Sequence, residues 1–159
     1  MTGIASRLLL PLFVVAMAVL VPGAHAALEK PRPAPELGPG EVVKIQLEAL
    51  RGNDAQDSGI QLCFRFASPG NKVHTGPVER FGQMIRQEPY ALMLSYLDVQ
   101  YEPIEIAENR ARQRVTLIGP TEAITYVFLL SRQLEAAEGG CKGCWMTDAV
   151  IVERVGRAV

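Results

Sequence analysis

The spacing of apolar residues changes near Tyr90, and this change constrains the fold more than any other feature. Before Tyr90, apolar residues recur at helical spacing; after it, they alternate with polar residues, as in half-buried strands. Helices followed by a run of strands with short turns predict an α+β fold, in which N-terminal helices pack on a curved antiparallel sheet. The same order suits a cystatin-like cone or another helix-on-sheet domain.

Three helices are predicted before Tyr90. The first covers Glu41 to Asn53, and the second covers Ser58 to Ala67, with Ser58 and Gln61 expected to form a capping box. The segment 68–76 is predicted to be an ordered Pro/Gly loop. Pro77 is expected to be the first residue of the third helix, which ends before Pro89.

Four strands are predicted after Tyr90. They cover Leu97 to Tyr101, Arg114 to Ile118, Ala123 to Arg132 and Trp145 to Val152. Alternation in the third strand places Ile124, Tyr126, Phe128 and Leu130 on one face. Both faces of this strand are hydrophobic, so the pattern leaves open which one is buried and allows a homodimer through the exposed face.

The N-terminus carries targeting and linker features. Arg7, the apolar run 8–21 and the Ala24-His25-Ala26 site predict a signal peptide over residues 1–26, and thus export to a periplasmic or secreted location. The alternatives are an uncleaved membrane anchor formed by residues 8–21, or an organellar lumen. Residues 27–40 are rich in proline and are predicted to be an extended tether. A single domain is expected over residues 41–155.

Charge and motifs exclude several classes of function. Lys and Arg number 16 against 17 Asp and Glu, without a basic stripe, so nucleic-acid binding is not expected. The phosphate-binding, dinucleotide-binding, nucleophile-elbow and zinc-protease motifs are absent from the sequence, so no cofactor is predicted.

The three cysteines divide into one single residue and one pair. Cys63 lies in an apolar helical pattern and is predicted to be a buried thiol. Cys141 and Cys144 form a CxxC pair in a Gly-rich loop, which suits a disulfide or two free thiols. Active redox chemistry is the alternative, although a thioredoxin-type pair begins a helix. A zinc site lacks further ligands, and no metal is predicted.

Asp148 and His74 are the candidate catalytic residues. Asp148 is predicted to lie mid-strand on a face shared with Met146 and Val150, where desolvation would raise the pKa of a carboxyl group and suit acid–base chemistry. His74 lies before the third helix, where it could reach a pocket mouth. The structural alternatives are a hydrogen-bonded Asp at a sheet edge and a loop-capping His.

Arg65, Arg80 and Tyr126 are the candidate ligand-binding residues. Arg65 and Arg80, with Lys72, flank the loop 68–71 and could hold an anion beside the third helix; a structural brace is the alternative. Tyr126 and the other tyrosines lie in the sheet half. A pocket lined by Tyr and Met suits a small apolar ligand, whereas core packing is the default explanation.

Several sequence blocks carry a resemblance to a known family. FRFASPGN, TGPVERF, IQLEALRGND, YVFLLSRQ and CWMTDAVI resemble the DUF4864 family of uncharacterised proteins, which is similar to NTF2-like domains of the SnoaL and ketosteroid-isomerase kind. The resemblance covers roughly residues 41–152. It implies a pocket between sheet and helices, which related domains use as an isomerase or dehydratase site, as a ligand cavity, or as a filled core.

Three functions therefore compete at this level. The first is a non-catalytic exported domain that binds a small apolar ligand or a protein partner. The second is an isomerase or dehydratase that uses Asp148 as base with His74 or a tyrosine as donor. The third is a thiol-redox protein that uses Cys141 and Cys144.

Overall fold

A computed structural model of the chain describes residues 30–135 and 140–157. The predicted signal peptide, and with it the alternative membrane anchor, lies outside the described residues. Within the described part of the chain, no helix has both the length and the apolar character needed to cross a membrane.

Four α-helices precede the sheet. They are α1 (Pro39–Arg51), α2 (Ser58–Arg65), α3 (Pro69–Thr75) and α4 (Val78–Ile85), and a 3-10 turn, Ala91–Leu94, leads into the sheet. Helix α1 begins inside the segment predicted as tether. Pro39 occupies its first turn, and the Glu41 carboxylate accepts a hydrogen bond from the Gly38 amide at 2.7 Å, which caps the helix.

Helix α2 is capped differently from the prediction. Asp54 accepts hydrogen bonds from the amides of Gln56 and Ser58, and Asn53 accepts one from the amide of Ile60 at 3.0 Å. The Gln61 side chain donates to the Gln56 carbonyl and does not accept a hydrogen bond from the Ser58 amide. The predicted capping box is therefore wrong, because the preceding turn already supplies acceptors for these amides.

The predicted loop 68–76 contains the short helix α3, so that prediction was also wrong. Ser68 caps it by accepting a hydrogen bond from the Asn71 amide at 3.2 Å, and Pro69 fits the first turn. Gly76, with φ of 80°, ends it in a backbone conformation that favours glycine. Pro77 is the N-cap of α4 and lies just outside the helix.

The sheet is antiparallel and open, and the α+β prediction is confirmed. Its strands are β1 (Asp98–Tyr101), β2 (Glu105–Ala107), β3 (Arg110–Ile118), β4 (Glu122–Arg132) and β5 (Trp145–Arg157). The order is β1-β3-β4-β5, and β2 also pairs with β3. β2 was missed in the sequence because its three residues are all exposed and show no alternation.

The helices cover the sheet face that carries the even-numbered residues of β4. Ile124, Tyr126, Phe128 and Leu130 are buried there and join the helices in one hydrophobic core. The opposite face, called here the outer face, carries Arg112 and Arg114 of β3. Both arginines form ion pairs with Glu153, at 3.9 and 2.6 Å. The structure thus decides which face is inside.

A β-bulge at Asp148 changes the side-chain alternation of β5. Leu130 pairs with Thr147 and Leu129 with Ala149, so Asp148 is the extra, unpaired residue. Met146 pairs with Ser131, whereas Val150 pairs with the core residue Phe128. Met146 and Val150 therefore lie on opposite faces. The prediction of one face shared by Met146, Asp148 and Val150 was wrong, because strict alternation does not hold across a bulge.

Candidate functional site

A cavity of about 300 Å³ lies between the helices and the inner face of the sheet. Its lining is mostly apolar and comes from α1, α2, α4, the 3-10 turn and strands β4 and β5: Leu50, Cys63, Ala67, Phe81, Met84, Ile85, Tyr90, Met93, Phe128, Ala149 and Val150. Polar residues complete the lining: Gln46, Asn71, His74, Thr75, Thr147 and Asp148. Such a lining is typical of a site for a small, largely apolar molecule.

The deep polar groups of this cavity satisfy one another. The Thr147 hydroxyl donates to the Gln46 amide oxygen at 2.6 Å, and the Gln46 amide nitrogen donates to the Cys63 carbonyl at 3.2 Å. Burial raises the pKa of the Cys63 thiol to about 12, so Cys63 stays protonated and unreactive, as predicted for a core thiol. The interior therefore offers a ligand mainly apolar surface.

The mouth of the cavity is more polar. Asn71 donates from its side chain to the Thr147 carbonyl at 3.0 Å, which fixes α3 against β5. The Thr75 hydroxyl donates to the Asn71 carbonyl at 3.0 Å, so its oxygen can still accept a hydrogen bond. His74 is exposed at the end of α3 and lines the cavity.

Asp148 lines the same cavity, but its carboxylate is bonded elsewhere. The carboxylate accepts a hydrogen bond from the Ser131 hydroxyl at 2.9 Å. Ser131 pairs with Met146 on the outer face, and Asp148 also lines an open groove there with Arg112 and Leu129. The structure thus brings Asp148 and His74 to one cavity, while the carboxylate oxygen is hydrogen-bonded on the other side of β5.

Tyr126 is a core residue. It is fully buried, and its hydroxyl donates to the Pro89 carbonyl at 2.6 Å. Burial raises the pKa of its hydroxyl far above the ordinary range. Tyr90 is the tyrosine that lines the cavity, with its hydroxyl donating to the Val150 carbonyl at 3.2 Å. The core-packing alternative thus describes Tyr126, whereas Tyr90 lines the cavity.

Arg65 and Arg80 do not assemble into the anion site predicted from the sequence. Arg80 lines a shallow depression beside His74 and Met84. Arg65 lines a separate cavity with Lys72. The two arginines therefore line different cavities.

Cys141 and Cys144 are joined by a disulfide, with 5.6 Å between their Cα atoms. Cys144 is completely buried, and Cys141 is partly exposed beside Arg65 and Lys72. Within the described residues, no group of three His, Cys, Asp or Glu side chains is placed to hold a metal ion.

Gln46 and Thr147 are site residues that sequence reasoning missed. Gln46 lies on the buried stripe of α1, four residues after Val42 and four before Leu50. A polar residue inside an apolar stripe is the signal that could have revealed it, since such a side chain needs a buried partner. The partner lies 101 residues further along the chain and carries no comparable signal.

The fold and site define an α+β domain in which a helical layer encloses a small cavity against one face of an open antiparallel sheet. The chain belongs to the family described as a domain of unknown function, DUF4864, whose model matches residues 39–157. None of the curated proteins compared with the chain matches it, and neither does any solved structure. The similarity to NTF2-like domains stays a prediction.

Proposed function

We propose that this DUF4864 domain binds a small, predominantly apolar molecule in the cavity between helices and sheet. The observation that carries the proposal is a cavity of about 300 Å³ whose deep polar groups, Gln46 and Thr147, already bond to each other. This volume lies at the lower end of the range for small-molecule sites, roughly 300–1,000 Å³.

The distribution of polar groups defines the ligand further. An apolar body suits the interior, where Phe81, Met93 and Phe128 contribute to the surface. A single polar end, such as a hydroxyl or carbonyl, suits the mouth, where Thr75 and His74 offer hydrogen bonds. An anionic ligand is disfavoured, because no lysine or arginine among the described residues lines the cavity to offset desolvation.

An isomerase or dehydratase is the alternative for the same cavity. It requires the Asp148 carboxylate beside the bound molecule, within hydrogen-bond reach of the reacting proton. The hydrogen bond from Ser131 holds the carboxylate on the outer side of β5 and favours binding without catalysis. Export and a homodimer stay predictions; the Cys141–Cys144 disulfide supports export, because such bonds persist in oxidising compartments.

Native mass spectrometry of the purified protein, followed by titration with naphthol, tests the proposal. Naphthol has an apolar body and one hydroxyl, and its fluorescence reports transfer out of water. We expect saturable binding to the wild type, and loss of binding in Ala67→Leu, because Ala67 is buried and lines the cavity.

Val73→Leu is the matched control. Val73 is an exposed residue of α3 and does not line the cavity, so the enlarged side chain leaves binding unchanged. If Ala67→Leu unfolds, the smaller Ala67→Val variant replaces it and is expected to weaken binding. Equal naphthol affinity of the wild type and a folded Ala67 variant, or no binding to the wild type, would contradict the proposal.

A further inference from the structure

A second cavity, also of about 300 Å³, lies beside the disulfide and away from the ligand cavity. Its lining comes from the N-terminal segment, α2, α3 and the β4–β5 hairpin: Arg32, Pro33, Arg65, Lys72, Gly140, Cys141 and Met146. Three of these side chains are cationic, and none of the described residues that line the cavity carries a carboxylate. Cys141 of the disulfide thus lines a pocket that also carries cationic side chains.

The hairpin presents the two sulfurs unequally. Hydrogen bonds link the amide of Gly143 to the carbonyl of Gln133 and the amide of Gln133 to the carbonyl of Cys144, at 2.6 and 2.8 Å. These contacts hold Cys144 in the interior, whereas Cys141 is partly exposed and lines the cavity. A thiol from solution therefore meets Cys141 first, and Cys144 is placed as the leaving sulfur.

Two of the cations are held by neutral groups. The Lys72 ammonium donates to the Arg65 carbonyl at 3.4 Å and lies over the Phe64 ring at 5.6 Å. The Arg65 guanidinium donates to the Pro31 carbonyl at 3.4 Å. Carbonyl and ring partners position these charges without neutralising them, so the pocket attracts anions and stabilises a thiolate at Cys141.

We propose that this pocket is a thiol–disulfide exchange site for small anionic thiols, independent of the ligand cavity. The anionic group contacts Arg65 and Lys72 while the thiolate attacks Sγ of Cys141. A bond forms between the two sulfurs, the Cys141–Cys144 bond breaks, and its electron pair leaves on Sγ of Cys144, which takes up a proton.

A second thiol molecule completes the reaction. Its thiolate attacks the sulfur of the first molecule in the mixed disulfide, and Cys141 leaves as a thiolate that is then protonated. Two thiols are oxidised to one disulfide, and the protein is reduced to a dithiol; the reverse sequence oxidises the protein. The two cysteines are only three residues apart, so opening their bond releases little chain entropy and leaves the fold intact.

The single tryptophan, Trp145, follows Cys144 directly and reports the opening of the disulfide through its fluorescence. We compare the rates for reduced glutathione, which is anionic, with those for neutral mercaptoethanol and cationic cysteamine, each corrected for its thiolate fraction. We expect glutathione to react fastest and cysteamine slowest. Because charge attraction is screened by salt, the preference should vanish at about 1 M ionic strength.

Variants that each remove one positive charge test which side chains produce the preference for glutathione. Lys72→Gln and Arg65→Gln should each lower the rate of reaction with glutathione by roughly threefold to tenfold. The rate with mercaptoethanol should stay unchanged. Lys44→Gln removes an equal charge from exposed Lys44 of α1, outside the pocket, and should change neither rate. Equal rates for the three thiols, no opening by any of them, or the same slowing in Lys44→Gln would overturn the proposal.

The Cys144→Ser variant identifies the attacked sulfur. Treated with oxidised glutathione, it should gain the mass of one glutathionyl group on the peptide that contains Cys141. Modification of Cys63 instead would contradict the assignment. If Cys144→Ser does not fold, the reaction rates of the wild type and of Lys72→Gln with the three thiols test the proposed exchange site by themselves.

Discussion

At the residue scale, the hydrogen bond between Thr147 and Gln46 ties the sheet to α1 inside the core. Both side chains are buried, so each provides the hydrogen-bond partner that water would otherwise supply to the other. We expect Thr147→Val to lower the free energy of unfolding by about 2 kcal/mol, because it leaves the Gln46 amide oxygen buried without a donor. Urea denaturation measures the change.

The double variant Gln46→Leu/Thr147→Val tests the same hydrogen bond. Since it removes both polar partners together, it should cost less than the sum of the two single variants. Strict additivity of the free energies would show that the two side chains do not depend on each other.

At Gly59 the backbone of α2 lies directly against the backbone of α1. A Cβ atom on Gly59 would lie 2.0 Å from the Ala49 carbonyl oxygen. We expect Gly59→Ala to destabilise the fold by about 3 kcal/mol, since helix backbone must shift to admit the methyl group. Thermal unfolding measures the loss.

Gly70→Ala is the control for Gly59. A Cβ atom on Gly70 would meet open space, since the Ser68 hydroxyl oxygen would lie 3.9 Å from it. The unfolding free energy of Gly70→Ala should therefore stay within about 1 kcal/mol of the wild type. A Gly59→Ala protein as stable as Gly70→Ala would contradict the close approach of the two helices.

At the element scale, the start of α2 depends on carboxylates. Hydrogen bonds from Ser58 lower the pKa of Asp54 below its ordinary value of 3.8, and a hydrogen bond from Asn53 lowers that of Asp57. A lowered pKa in the folded state means stability that is present above pH 3.8 and is lost as the pH falls through the folded value. The helix start should therefore weaken in acid.

Asp54→Asn tests this dependence. Asparagine keeps an acceptor for the Ser58 amide but does not titrate. We expect the stability difference between wild type and variant to shrink as the pH falls below 3.8, which urea midpoints measured across this range would show. A difference that stays constant with pH would exclude Asp54 as a source of acid sensitivity.

At the scale of the whole molecule, helices and sheet share one core. Leu47 of α1 is fully buried in it, and Trp145 lies at the start of β5 in the same cluster. We expect Leu47→Ala to cost about 3 kcal/mol and to shift the far-ultraviolet circular dichroism and the Trp145 fluorescence transitions together.

Leu97→Ala is the control for Leu47→Ala. Because Leu97 is 60 % exposed, this substitution should lower the free energy of unfolding by less than about 1 kcal/mol. Separate transitions for the helical signal and for Trp145 would show that the two layers unfold independently, which the shared core does not allow.

Local patterns account for the elements that the sequence predicted. α1 and α4 have strong apolar stripes, and β4 is a long run of β-branched and aromatic residues, so these patterns placed all three elements within a few residues. Short elements carry too little pattern: α3 was assigned to a loop, and β2 was missed. In the site, the pairing of Gln46 with Thr147 was not foreseen, because the two residues are far apart in the chain.

The sequence alone determined the α+β class and the family, because helical and strand periods and family motifs are properties of neighbouring residues. The tertiary structure decided which face of β4 is buried, where the bulge turns the Asp148 carboxylate, and which cations surround Cys141. These features depend on contacts between residues far apart in the chain. A single extra residue in a strand reverses the face of all those that follow, and only packing against the helices fixes the result.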